Sequence, residues 1–428
     1  MLFSFLGWCG RIISYWKSFA AGSGLYRRRL SLRPFILKKE EKNVKPIRLF
    51  LLPAAAAAVM LSPLILKGTD EKFRFSGVEN QAQFPEITAQ KLLDGQAQTE
   101  FEAYVQQYLP GKPFMVRLRN EITFSLLDTV SNINYSMSKD KNLFSWENVS
   151  YYLQYFAPVS KEGAYELVEK LECLQKLLED AGKQMYVFIT PCKIRYTEDQ
   201  LPWVDKAMAP PRKEGNYELL TEALSGSRIR YFDSIRYLEE HKSEFDSRVP
   251  LFYRTGLHWS VYVGNMTGAA FGEFLEQESG YNLPEMTITA NPCENPVYPD
   301  ADSFEVFNTI GKPYDQYYEP VIEITDEETD APGFLCRGGS FMGQSLSCLI
   351  QNHYFGKNVS MENRQIFTEE FGQVKEFSSY EEADMRECLR DIDLVVLEVN
   401  ETAVSDMSFG FIDYVLELSL IHISEPTR

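Results

Sequence analysis

The chain has 428 residues, of which 44% are apolar and 24% charged, with 25 Gly and 21 Pro. That length supports two or three folding units, and the composition is that of a globular protein, which excludes a disulfide-stapled miniprotein, a collagen-like or disordered chain and a polytopic membrane protein. A formal charge of -18 excludes nucleic acid as a partner for the bulk of the chain, because phosphate binding draws on a surplus of Lys and Arg.

The charge is unevenly spread. Residues 1–48 hold eleven Lys and Arg against two acids, a charge of +9, while the rest holds 32 bases against 59 acids, a charge of -27. Residues 2–21 are apolar but interrupted by Arg11 and Lys17, so at most they lie in a membrane interface. Leu49 to Leu66, LFLLPAAAAAVMLSPLIL, is free of charge and as a helix would reach about 27 Å, close to the bilayer hydrocarbon thickness. A basic flank, an apolar span and an acidic remainder follow the positive-inside order of a single-pass anchor. A buried Ala-rich helix would explain the span but not its flank. The sequence therefore predicts a basic cytoplasmic segment over 1–47, a transmembrane anchor over 48–67 and the rest of the chain outside the cytoplasm.

From 68 to 160 the chain is polar and aromatic, with short helical patterns such as TEFEAYVQQYL and no regular alternation. From 161 to 417 alternation sets in. KEGAYELVEKLECLQKLLEDAGK carries apolar residues at helical spacing and is followed by the β-rich run QMYVFIT. RIRYFDS, a helix through His241, a helix after His258, GFLCRGG, a helix from about Phe341 and DLVVLEVNE repeat the scheme. Near-continuously apolar strands between amphipathic helices predict an α/β fold with a central, mostly parallel sheet covered on both faces. Residues 418–428, LSLIHISEPTR, read as the translation of a transposon adapter used in DNA library preparation. They are expected to be a sequencing artefact, with the natural protein continuing differently after Glu417. His241, His258 and His353 are then the histidines that count. The seven cysteines are scattered, with no CxxC pair and no Cys/His ligand spacing, so no metal site and no cofactor is expected.

In a parallel sheet the ligand lies at the carboxyl ends of the strands. After GFLCR come Gly338, Gly339, Ser340 and Phe341, opening a helix. The glycines allow a sharp turn, and a Ser there has unpaired N–H groups beside it that can stabilise an oxyanion. The same spacing also suits an ordinary Ser cap behind a Gly turn. His258 stands at another junction, in Tyr253-Arg254-Thr255-Gly256-Leu257-His258-Trp259-Ser260.

Taken in order with GVENQAQFPEIT, LLDGQAQTEFEAYVQQYLPGKPFMVRLRNEI, ITPCK and LVVLEVNE, these segments make the chain resemble a family. It is similar, over residues 77–417, to the SGNH-hydrolase-like polysaccharide O-acetyltransferases of the alginate (AlgJ/AlgX) type. The resemblance implies a flavodoxin-like SGNH domain, anchored in the cell membrane and facing outward, in which the Ser of a GDSF-like motif and the His of an Asp-x-His motif act together. In this sequence those are Ser340 and His258. Gly256 stands where the family commonly has the Asp of Asp-x-His, and Gly339 replaces the Asp of GDSF. Either another carboxylate orients the imidazole, with Glu398 and Glu401 in LEVNE as candidates, or a Ser-His dyad acts, or activity is lost.

The function expected is acetyl transfer to a hydroxyl of a cell-envelope or exopolysaccharide through an acyl-enzyme, with a membrane-bound O-acyltransferase as partner and acetyl source. Gly338 and Gly339 are candidates for the oxyanion site, and Arg254 and Lys193 for substrate binding. A non-catalytic glycan-binding or scaffold protein and a carbohydrate acetylesterase are the alternatives.

Overall fold

The computed structural model describes Leu61 and residues 82–424, apart from 326–328, 364, 371 and 372. The chain divides into the units Met1–Leu61 and Ser62–Arg428, and the fold described is that of the second. The basic segment and the anchor expected over 1–67 lie outside the described residues except for Leu61. Among the described residues no helix is long and apolar enough to cross a membrane.

Eleven strands are described: β1 (Tyr135–Met137), β2 (Leu143–Ser145), β3 (Gln184–Thr190), β4 (Tyr231–Asp233), β5 (Met286–Cys293), β6 (Tyr317–Ile324), β7 (Phe334–Gly338), β8 (Asn358–Glu362), β9 (Gln365–Glu370), β10 (Gln373–Phe377) and β11 (Leu394–Asn400). Seven of them form one sheet in the order β10-β9-β8-β7-β11-β3-β4. From β8 to β4 every pair is parallel, and β9 and β10 continue the edge antiparallel, so the sheet is mixed. The five parallel strands run 2-1-5-3-4 by sequence, whereas a flavodoxin sheet runs 2-1-3-4-5. The difference is one placement. The last strand, β11, inserts at the centre, and all seven of its residues are buried.

Alternation on these strands feeds two cores. Met185, Val187 and Ile189 of β3 with Val395 and Leu397 of β11 face one core, and Tyr186, Phe188, Leu394 and Val396 face the other, as the two-residue period of a strand requires. The first core is covered by the helices Lys161–Asp180, Asn216–Ser225 and Phe411–Ser424. Lys161–Asp180 presents Ala164, Val168, Leu171, Leu174 and Leu178 on one face, and the Ser160 hydroxyl caps it by accepting from the Gly163 N–H at 2.9 Å. Leu418, the first residue of the expected adapter tail, packs against this core, and the side chains beyond it lie outside the described residues.

The second core lies under the helices Val261–Ser279 and Met342–Gln351. Gly264, Gly268 and Gly272 recur every four residues along one face of the first. A Cβ on Gly264 would stand 2.4 Å from Gln344 Cβ, and one on Gly268 would stand 2.5 Å from the Ser345 carbonyl oxygen. The two helices therefore touch backbone to backbone. His258 and Ser340 immediately precede these two helices, so this contact sets the distance between them.

The region before residue 160 is helical at Ala89–Leu93, Gln96–Tyr108 and Lys112–Leu126 and then forms the antiparallel pair β1–β2. Phe124 and Leu143 pack with Phe304 and Phe307, which lie in the connection between β5 and β6. That antiparallel hairpin interrupts the strand-helix alternation read from the sequence. Substituting Gly268→Ala is expected to force the two helices apart and to cost about 1–3 kcal/mol in urea denaturation. An unchanged midpoint would show that the contact is not tight.

Candidate active site

His258 and Ser340 are 82 residues apart in sequence, and the fold brings them into contact: His258 Nε2 lies 2.7 Å from Ser340 Oγ. Both stand at the carboxyl edge of the sheet. Ser340 follows β7 by two residues and precedes the helix Met342–Gln351 by two, with Phe341 as the cap residue. The imidazole is largely buried, with the Phe341 ring 4.7 Å away, centroid to centroid.

The other ring nitrogen is also occupied. His258 Nδ1 lies 2.7 Å from Asp302 Oδ2, while Asp302 Oδ1 accepts from the N–H groups of Leu257 and Ser303, both at 2.7 Å. The carboxylate is thus held by its own helix start and by the segment that bears the histidine. With the proton on Nδ1, His258 donates to Asp302 and can accept from the Ser340 hydroxyl. A Ser, a His and an Asp are connected in the arrangement that nucleophilic catalysis uses.

Asp302 was not among the acids singled out from the sequence. It lies 44 residues after the histidine rather than two before it, inside the β5–β6 hairpin, and only its contact to the ring distinguishes it from its neighbours. The structure also explains Gly256. A Cβ there would stand 2.7 Å from the Asp300 carbonyl oxygen, so the loop that delivers Asp302 fills the space an Asp at 256 would need. The same loop is tied down by the Asp300 carboxylate, whose Oδ1 accepts from the Val261 N–H at 2.9 Å. Burial pushes the Asp300 carboxyl up to about 7, the Val261 N–H opposing and the charge of Asp302 adding.

Glu398 and Glu401, the acids considered as orienters, are engaged elsewhere. Glu398 Oε2 accepts from the Gly339 N–H at 2.7 Å and Oε1 pairs with the Thr190 hydroxyl. Burial raises this carboxyl to about 7, against the lowering effect of those two hydrogen bonds. Glu401 accepts from the Cys192 N–H at 2.7 Å and from Arg195 Nε at 2.8 Å. Gly339 is therefore not a free oxyanion donor, because Glu398 holds its N–H. At Gly338 a Cβ would meet Glu398 Cβ at 2.5 Å, so that glycine makes room for the acid. The N–H of Ser340 has no acceptor among the described residues and points the oxyanion role to that group.

Lys193 and Arg254 do not reach the cavity either. Lys193 is fully buried, and its ammonium donates to the carbonyls of Leu143, Tyr253, Arg254 and Gly256 at 2.7–3.1 Å. Burial pulls its pKa down to about 7, with Asp302 and Asp315 acting the other way. Lys193 therefore holds the loop that leads to His258. Arg254 is paired with Asp315 at 2.7 Å and lies over the Tyr314 ring.

His258 and Ser340 open onto a cavity of about 490 Å³, lined also by Val261, Asn265, Tyr298, Gln344, Ser347 and Glu362.

Residues 138–336 match the family described as the SGNH hydrolase-like domain of the acetyltransferase AlgX. Over that stretch the chain resembles an AlgX-type SGNH domain. The match includes His258 and Asp302 and stops four residues before Ser340. Among solved structures, the O-acetyltransferase domain of Pseudomonas putida AlgJ is similar at 16% identity and a TM-score of 0.40, covering 67% of this chain and 99% of that one. Pseudomonas aeruginosa AlgX is similar at 15% identity and a TM-score of 0.36, covering 62% and 61%. Bacillus cereus PatB1 is similar at 8% identity and a TM-score of 0.36, covering 57% and 91%. No curated protein matches the chain.

Two expectations follow from this geometry. Asp302→Asn, which keeps the shape but removes the acceptor that fixes the Nδ1–H tautomer, should lower turnover of an activated acetyl ester by about 10³–10⁴-fold; a loss under tenfold would deny Asp302 the orienting role. The second concerns Glu398. Because its carboxyl sits at about 7 in the fold against an ordinary 4.5, the folded state binds more protons than the unfolded between those values. Stability should therefore fall as pH rises from about 4.5 to about 7. Urea titrations across that window should show a shallower fall in Glu398→Gln, with Asp300 supplying the remainder; an identical slope would place the proton elsewhere.

Proposed function

We propose that this protein is an SGNH-type O-acetyltransferase that moves acetyl groups onto hydroxyls of a cell-envelope or exopolysaccharide. The observation that carries the reading is the contact of His258 with both Asp302 and Ser340, each at 2.7 Å, at the mouth of a cavity of glycan size. The AlgX-type family match over 138–336 supports the acyl group and the substrate class.

In the proposed first step the Ser340 hydroxyl gives its proton to His258 Nε2 while Oγ attacks the carbonyl carbon of an activated acetyl ester. Asp302 stabilises the imidazolium through Nδ1–H. The oxygen charge that develops falls beside the Ser340 N–H at the start of the helix. The donor alkoxide leaves with the proton from Nε2, and acetyl-Ser340 remains. A sugar hydroxyl then gives its proton to Nε2 and attacks the acetyl carbon, and Ser340 leaves and regains the proton. One ester is broken and one formed, with no change of oxidation state.

The basic flank and apolar span before residue 68 support placing this domain outside the cell membrane, with a membrane-bound O-acyltransferase as the acetyl source. Incubation of the purified chain with an activated acetyl ester should give a protein heavier by one acetyl group, mapped by peptide mass spectrometry to Ser340. The adduct should be absent in Ser340→Ala and discharged faster when an acceptor oligosaccharide is added. An adduct that persists in Ser340→Ala would place the nucleophile elsewhere, and discharge unaffected by any sugar would make the protein an esterase.

A further inference from the structure

Glu362 has no part in the steps above, yet it shares the cavity with the groups that perform them. It is the last residue of β8 and pairs in register with Gly338 of β7, which places it at the same carboxyl edge as Ser340. Its carboxylate lies across from the start of the helix Met342–Gln351, where a Cβ on Gly343 would stand 3.9 Å from Oε2. The acid is more than half buried, and burial raises its pKa while His258 draws it down. In contrast to Glu398, Glu401 and Asp302, it accepts no hydrogen bond from any described residue. A half-buried carboxylate that lines the cavity with no protein donor is a group that a ligand entering there can satisfy.

The rest of the wall sharpens the point. Asn265, Gln344 and Ser347 are neutral, Tyr298 stands 78% exposed at the rim as a flat face on which a sugar ring can lie, and no Lys or Arg lines the cavity among the described residues. A uronate entering here would set its carboxylate against Glu362 with no Lys or Arg lining the cavity, among the described residues, to offset the repulsion. A hydroxyl would instead donate to Glu362 in a charge-assisted bond, and an ammonium would form an ion pair with it.

We propose that Glu362 selects the acceptor: the reacting sugar bears hydroxyl or amine groups toward this side chain and no carboxylate. The inference rests on the reading of the cavity as a glycan site and narrows the substrate class, separating it from polyuronates.

Binding can be measured apart from catalysis by using the full chain carrying Ser340→Ala and isothermal titration with short unacetylated oligomers of glucosamine, glucose and galacturonate. The expected order of affinity is glucosamine, then glucose, then galacturonate. Adding Glu362→Gln should weaken glucosamine binding by about tenfold and improve galacturonate binding. Glu362→Asp, which keeps the charge, should preserve the order. Galacturonate bound as tightly as glucosamine, or an order unchanged by Glu362→Gln, overturns the proposal. Binding of none of the three overturns both the proposal and the glycan reading. Acetylation of Ser340, followed separately in the protein that retains it, tests the acyl chemistry alone. Selective binding without acetylation would therefore sink the proposed enzyme while leaving the preference of Glu362 standing.

Discussion

The backbone contact between the helices Val261–Ser279 and Met342–Gln351 is the constraint on which the site depends. Gly264 and Gly268 leave no room for a Cβ against Gln344 and Ser345, so the separation of the two helices is fixed by main-chain atoms and cannot be adjusted by a rotamer. Each helix starts just after one member of the His-Ser pair, and a rigid spacing of helices becomes a rigid spacing of His258 and Ser340. Strands β7 and β3 hold the other ends of this unit through the buried aromatic core beneath it. A hydrogen bond of 2.7 Å between residues so distant in sequence is the local readout of that packing.

Buried ionisable side chains are the second organising element, and here they serve to position loops. Lys193 gathers four carbonyls, one from β2 and three from the loop before His258, and so ties that loop to β2 beside the Leu143 N–H to Arg254 carbonyl bond. Glu398 performs the complementary task on the other side, holding the Gly339 N–H and so the turn that presents Ser340. Glu401 ties the end of β11 to the Cys192 N–H and Arg195 after β3. Each of these side chains lies at the carboxyl edge, and each fixes a loop that carries or supports Ser340 or His258.

The acid that faces His258 shows how one position can be vacated and its role filled from elsewhere. Asp302 reaches the imidazole from the β5–β6 hairpin, and the backbone of that same segment occupies the volume beside Gly256. An Asp two residues before the histidine would collide with Asp300. The glycine and the distant aspartate are therefore one structural solution, and neither makes sense without the other. The aromatic cluster of Phe124, Phe304 and Phe307 supports the hairpin from the side of the N-terminal helices, which gives that polar, irregular-looking stretch of sequence a role at the site.

By itself the sequence determined the α/β class, the strands QMYVFIT, GFLCR and LVVLEVN, the helices between them and the pairing of Ser340 with His258 as the residues of interest. The elements are legible because hydrophobic period and glycine turns are local properties, whereas Ser340 and His258 are paired through the family resemblance of the GGSF and HWS segments. GGSF does follow a strand, β7, but HWS follows an irregular loop with no strand immediately before it. Tertiary structure alone decided which carboxylate orients the imidazole, that Lys193 and Arg254 are held by backbone carbonyls and by Asp315, that Gly339 gives its N–H to Glu398, and that β11 enters the centre of the sheet. Each of these depends on which polar atoms remain unpaired once distant segments meet. A carboxylate at 302 and one at 398 look alike along the chain. They differ only in what the fold brings within hydrogen-bond reach: an imidazole for Asp302, a glycine N–H for Glu398.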